Sequence, residues 1–135
     1  MVEIIKSKIK MLETENSVLS NIQEHIIANI NESIEAEKMG IISHKEIITS
    51  FETEINNNAK YFLGNKDNTH REIFELMAYK KNILKSIDET FLEIILQKKH
   101  SADKKKLTKL AEKLIELMEG FKQYNKKLIS LMNTL

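Results

Sequence analysis

Cysteine, proline and tryptophan are missing from the 135 residues, and glycine occurs only at positions 40, 64 and 120. Without cysteine there is no disulfide framework, no thiolate metal site and no thiol nucleophile. A many-stranded sheet needs turn residues at intervals of roughly 8–12 positions, and this chain has too few to build one. Aromatic residues make up 6% of the sequence, and a single arginine, Arg71, stands among 21 basic residues. That imbalance argues against specific nucleic-acid recognition, where the guanidinium fork makes bidentate contacts that an ammonium cannot. Charges interrupt MVEIIKSKIKMLE every few positions, and no run of about 18 uncharged residues follows. Neither a signal peptide nor membrane insertion is therefore expected, and the location expected is cytoplasmic.

What is present is helical periodicity. From Ile5 the apolar residues fall at Ile9, Leu12, Leu19, Ile22, Ile26, Ile30 and Ile34, which describes one long amphipathic helix ending near Met39 with Gly40 as its cap. Asn16 occupies the slot between Leu12 and Leu19. An asparagine there can fix register, mark a bend, or lie where no partner covers the stripe. Ser43 and Glu46 have capping-box spacing, with Ile42 and Ile47 placed as a hydrophobic staple, and this second helix runs to Gly64. After the turn Asn65-Lys66-Asp67-Asn68, Thr69 and Glu72 repeat the box and open a third helix. Its stripe is Ile73, Met77, Leu84, Ile87, Phe91 and Ile94 or Ile95. Apolar content stops at Leu96, so QKKHSADKKK reads as a solvated tip with Ser101 or Asp103 as the next N-cap. The last helix has the most regular pattern: Leu107, Leu110, Leu114, Leu117, Phe121, Tyr124, Leu128, Leu131 and Leu135 alternate three and four apart, flanked by Ala111, Met118 and Met132.

These boundaries give helices over 2–39, 44–63, 70–99 and 102–134, roughly 57, 30, 45 and 50 Å long. Short connections make sequential neighbours antiparallel. The fold expected is all-α: one domain over residues 1–135, an antiparallel bundle of three to four helices with long, coiled-coil-like first and last helices. Because the second helix is short, two parts are expected to project. One is the lysine-rich tip between helices 3 and 4. The other is the N-terminal arm of helix 1, whose Ile4, Ile5, Ile9 and Leu12 would form an uncovered interface unless a bend near Asn16 folds it back.

Net charge is close to zero but unevenly placed. Residues 1–40 carry seven acids and four bases, and residues 97–135 carry ten bases and four acids. This polarity draws the first and last helices together, or else offers an anionic partner the basic stretch 98–113.

Catalytic and metal motifs do not emerge. A bundle di-metal site needs a glutamate three residues before a histidine on two inward-facing helices. Before His25, His44, His70 and His100 that position holds Ile22, Ile41, Asp67 and Gln97. No Gly-rich phosphate loop, H-E-x-x-H or G-x-S-x-G is found. Acidic residues are placed on solvent faces near lysines. The expectation is a non-enzymatic protein with no cofactor and no metal. Met77, Met118 and Met132 lie on or beside the stripes, as core filler or as an adaptable binding surface.

Three stretches carry a family resemblance: Glu35-Ala36-Glu37-Lys38-Met39-Gly40 at the end of helix 1, Phe62-Leu63-Gly64 closing helix 2, and Tyr124-Asn125-Lys126-Lys127-Leu128-Ile129 in the last helix. In these the chain resembles the FlgN family of flagellar export chaperones. The resemblance implies a chaperone of flagellar, type III secretion that holds client C-terminal helices unassembled with its own last helix. Tyr124, Leu128, Leu131 and Leu135 would then be the client-facing edge. Independently, the last-helix stripe that includes Phe121 has the spacing of a helix-in-groove surface. The candidate partner-binding residues are thus Phe121, Tyr124, Leu128, Leu131 and Leu135, with Ile5, Ile9 and Leu12 on the arm. The partner expected is an amphipathic client helix; the alternative is a self-associating coiled-coil scaffold that uses the arm to form a homo-oligomer.

Overall fold

The computed structural model describes residues 2–28, 44–63, 67–99 and 103–135. Four helices follow in order: α1 (Val2–Ala28), α2 (His44–Phe62), α3 (Asn68–Lys99) and α4 (Lys104–Met132). The expected end of helix 1 at Gly40, the Ser43 cap with its Ile42 staple, the stop at Gly64 and the tip at 100–102 lie outside the described residues.

The starts of α3 and α4 have a local cause. Asp103 caps α4, its side chain accepting from the Lys106 amide at 2.8 Å. At α3 the cap is Asp67 instead of Thr69: Asp67 Oδ1 accepts from the Thr69 amide at 3.2 Å, and its carbonyl takes the first helical bond from Arg71. Aspartate is the stronger N-cap, so the helix starts earlier than the Thr69–Glu72 spacing suggested.

The helices form an up-down-up-down, all-α bundle. Close packing joins α3 to α2 and to α4, and α4 to α1. Cross-helix contacts give the direction of each pair. Asn125 reaches Glu15 and Asn16, while Gln23 reaches Ile115 and Glu119, so the first and last helices are antiparallel neighbours. Lys8 meets Asn58 at 2.7 Å, and Val18 and Ile47 line one cavity, so α2 is antiparallel to α1 as well.

That register overturns the expectation of a bare N-terminal arm. With Asn58 beside Lys8, α2 lies along the N-terminal part of α1, the part expected to project. Leu12 is completely buried, and Ile5 and Ile9 are half-buried against the core. No bend is needed, because α1 is one unbroken helix through Asn16. The Asn16 Oδ1 accepts from Asn125 Nδ2 at 2.9 Å, so this residue acts in register.

The core holds Leu12, Leu19, Ile22 and Ile26 of α1, Phe51 and Ile55 of α2, Met77 and Ile87 of α3, and Leu114, Met118, Phe121, Leu128 and Met132 of α4. Phe51 stacks on Phe121 across the bundle, with ring centroids 5.4 Å apart. The three stripe methionines, Met77, Met118 and Met132, are all buried here. The seam of α4 is rotated from the expected one. Ala111, Met118, Asn125 and Met132 face inward with Leu114, Phe121 and Leu128, while Leu110, Leu117, Tyr124 and Leu131 are half-buried flankers. Hydrophobicity ranks Leu and Tyr above Ala and Asn. At the bundle centre, however, Asn125 has polar partners on α1 and so takes the inward slot.

Packing predicts a contrast measurable by urea denaturation. Leu114, wholly buried, should lose about 2–5 kcal/mol on change to alanine. Leu135→Ala, at a residue 42% exposed, should stay within about 0.5 kcal/mol of the parent.

Candidate functional site: an end cleft and a buried polar layer

At the end of the bundle where α1 begins, α4 finishes and α2 passes into α3, the helices leave a cleft of about 470 Å³. Ile5, Lys6 and Ile9 come from α1, Tyr61 from α2, Asp67 and His70 from the start of α3, and Met132, Asn133 and Leu135 from the end of α4. Ile5, Ile9, Met132 and Leu135 make its apolar part, and the remaining lining residues carry polar groups. Its polar groups are held in place. The His70 Nδ1 lies 3.0 Å from Asp67 Oδ2, and the ring tilts against Phe62 at 5.6 Å. The hydrogen bond to His70, then that from the Thr69 amide, hold the Asp67 carboxyl below its ordinary value. Tyr61 is pinned between an edge contact to Phe62 and the Lys8 ammonium, 4.8 Å over its ring.

Ile5, Ile9 and Leu135, singled out in two separate patches at opposite ends of the chain, meet in this cleft. The other candidates divide. Tyr124 stacks on the exposed Tyr79 at 6.4 Å, on the outer flank between α3 and α4, and Leu131 is half-buried on the same helix. Phe121, Leu128 and Leu12 are completely buried core residues, so the structure corrects their assignment as a partner surface. Leu12 is covered with the arm, and Phe121 and Leu128 lie on the face that α4 turns into its own bundle.

Deeper in the bundle lies a second feature. Glu15, Lys80 and Asn125 are buried, and with the half-buried Glu54 they form a layer to which each helix contributes one residue. Lys80 Nζ donates to Glu15 Oε1 at 2.6 Å, and Asn125 Nδ2 approaches the same oxygen at 3.1 Å. The ammonium also lies 4.8 Å over the Phe121 ring. Burial lowers the Lys80 pKa, opposed by the attraction and hydrogen bond of Glu15. The Glu54 carboxyl is pushed up to about 8, first by burial and then by its hydrogen bond and repulsion with Glu15, against the attraction of Lys80.

The sequence reading placed acidic residues on solvent faces, and for Glu15 and Glu54 that is corrected. A signal was present. The α3 stripe steps by seven from Met77 to Leu84, and the slot it skips, three after Met77 and four before Leu84, is Lys80. Glu15 likewise stands three after Leu12 and four before Leu19. The histidine–aspartate offset noted in the sequence unites Asp67 with His70 in a cap. Among the described residues no group of three or more metal-ligating side chains comes together, and no helix is long and apolar enough to cross a membrane. No protein-family model, curated protein or solved structure matches the chain.

Removing one member of the buried pair should be far worse than removing both. Lys80→Met leaves Glu15 and Glu54 together without a cation and should cost about 3–5 kcal/mol in denaturant unfolding. The double change Glu15→Leu with Lys80→Met should recover most of that loss.

Proposed function

We propose that the protein is a non-enzymatic, helix-binding chaperone or adaptor whose end cleft receives the apolar anchor of an amphipathic client helix. The observation that carries this reading is the convergence of Ile5 and Ile9 with Leu135 and Met132 around one cleft. An anchored helix makes its affinity by filling such a depression with one or two apolar side chains. The cleft volume suits side chains of that size. The rim supplies Lys6 as an exposed cation, while His70 is already matched by Asp67, so a client with an acidic residue beside its apolar anchor is the complementary one. Tyr124 and Leu131 lie farther back along α4, where the client's next turns would pass.

The resemblance to the flagellar export chaperones adds the client class: C-terminal helices of secreted flagellar-type subunits, held in the cytoplasm before export. The scaffold alternative drew on a bare helix 1 arm. With Leu12 buried and Ile5 and Ile9 packed on the core, that surface is small, and client binding is the better-supported use of the same residues.

Calorimetric titration with a panel of acidic, amphipathic secreted-protein C-terminal helices tests the proposal. At least one peptide should bind and raise the melting temperature of the protein. Leu135→Asp and Lys6→Glu should each weaken that binding about tenfold or more, with little change in the melting of the free protein. A panel in which no peptide alters the melting curve would overturn the reading.

A further inference from the structure

The buried layer contains one positive group for two carboxyl groups. Glu15 comes from α1, Glu54 from α2 and Lys80 from α3, while α4 contributes the neutral amide of Asn125 and the face of Phe121. Among the described residues Glu15 Oε2 and Glu54 Oε2 have no donor. Two such buried acceptors lining one cavity can satisfy one another only if a proton lies between them. Lys80, 2.6 Å from Glu15 Oε1, already fills the cationic position on the other oxygen, so a proton fits the remaining place better than a metal ion would.

Among the described residues the carboxyl pair also spans the most sparsely packed junction between sequential helices. Close helix packing joins α2 to α3, α3 to α4 and α4 to α1, whereas α1 and α2 meet through long side chains: Lys8 with Asn58 and Tyr61, and Glu15 with Glu54. Between them a cavity of about 150 Å³ reaches the pair, walled by Val18, Ile47, Ser50 and Phe51, with Glu46 as a further acid of α2. Water entering there can exchange the proton.

We propose that the α1–α2 junction is a proton-operated seam, closed by one proton shared between Glu54 and Glu15 and loosened when that proton leaves. Loss of the proton sets two carboxylates side by side against one lysine. Glu54, half-buried at the cavity, relieves the repulsion by turning outward, and α2 moves off α1 while keeping its packing on α3. The move uncovers Val18, Ile47 and Phe51. The direction with pH follows from Glu54, whose folded-state pKa of about 8 exceeds the ordinary 4.5. The folded chain therefore holds a proton that the unfolded chain has released, and stability from this group is complete below the ordinary value and lost as pH rises through the folded one.

The absence of cysteine makes a spin-label test clean. Labels on Ser17→Cys and Thr53→Cys, both exposed, report the α1–α2 separation, and labels on Glu89→Cys and Glu112→Cys report α3 and α4 as a control. Between about pH 6 and about pH 9 the first distance should lengthen and broaden while the control stays constant. The carbon-13 shift of the Glu54 carboxyl should titrate with its midpoint near 8. Glu54→Gln, which keeps the shape of the protonated acid, should hold the α1–α2 distance at its acid-side value throughout. The inference is overturned by an α1–α2 distance that ignores pH, by a Glu54 midpoint near 4.5, or by a Glu54→Gln protein that opens as the parent does.

Discussion

The 2.6 Å ion pair between Lys80 and Glu15 constrains the rest of the bundle. Both side chains are essentially out of solvent, at 0% and 2% exposure. Burying such a pair gains little over burying hydrocarbon, because desolvating two charges offsets their attraction. What it controls is which arrangement forms. Slide α1 by one heptad and Lys80 would face Lys8 or Ile22 while Glu15 lost its cation, a penalty no aliphatic layer would impose. Asn125 and Asn16 extend the same restriction to α4, and Glu54 extends it to α2, so all four helices are aligned at one height.

The end cleft and the α1–α2 seam depend on that alignment. With the register set at the polar layer, the start of α1 lies beside the end of α4 and the α2–α3 turn, and their side chains enclose the end cleft. The same register lays α2 over the N-terminal part of α1, covering Leu12. Because the layer is one charge short of balance, its alignment is linked to a proton, and the least closely packed junction is the one where that proton resides. Cleft and seam share α1, whose Ile5 and Ile9 serve the first and whose Glu15 serves the second.

Much of the architecture was legible from residue spacing. The all-α class, the antiparallel order, the span of α2 and the Asp103 cap follow from features that act within one or two helical turns. The readings that failed concern what faces what. Tyr124 was placed in the α4 seam and Asn125 beside it, whereas the bundle buries Asn125 and leaves Tyr124 stacked on Tyr79 at the flank. Phe121 and Leu128 have the spacing of a client-binding edge, and a helix that buries such an edge in its own bundle has the same spacing. The interruptions at Lys80 and Glu15 were visible as skipped or polar slots in otherwise apolar stripes. Nothing local says whether such a slot turns toward water or toward a charge of opposite sign.

The sequence alone therefore determined the secondary structure and the class of fold, because periodicity, capping and turn chemistry are interactions between near neighbours along the chain. The tertiary structure alone decided which polar side chains lie inside and where the chain leaves a cleft. Glu15 finds Lys80 across 65 positions and Asn125 across 110. A charge is tolerated in a core only when such a distant partner arrives at hydrogen-bonding distance.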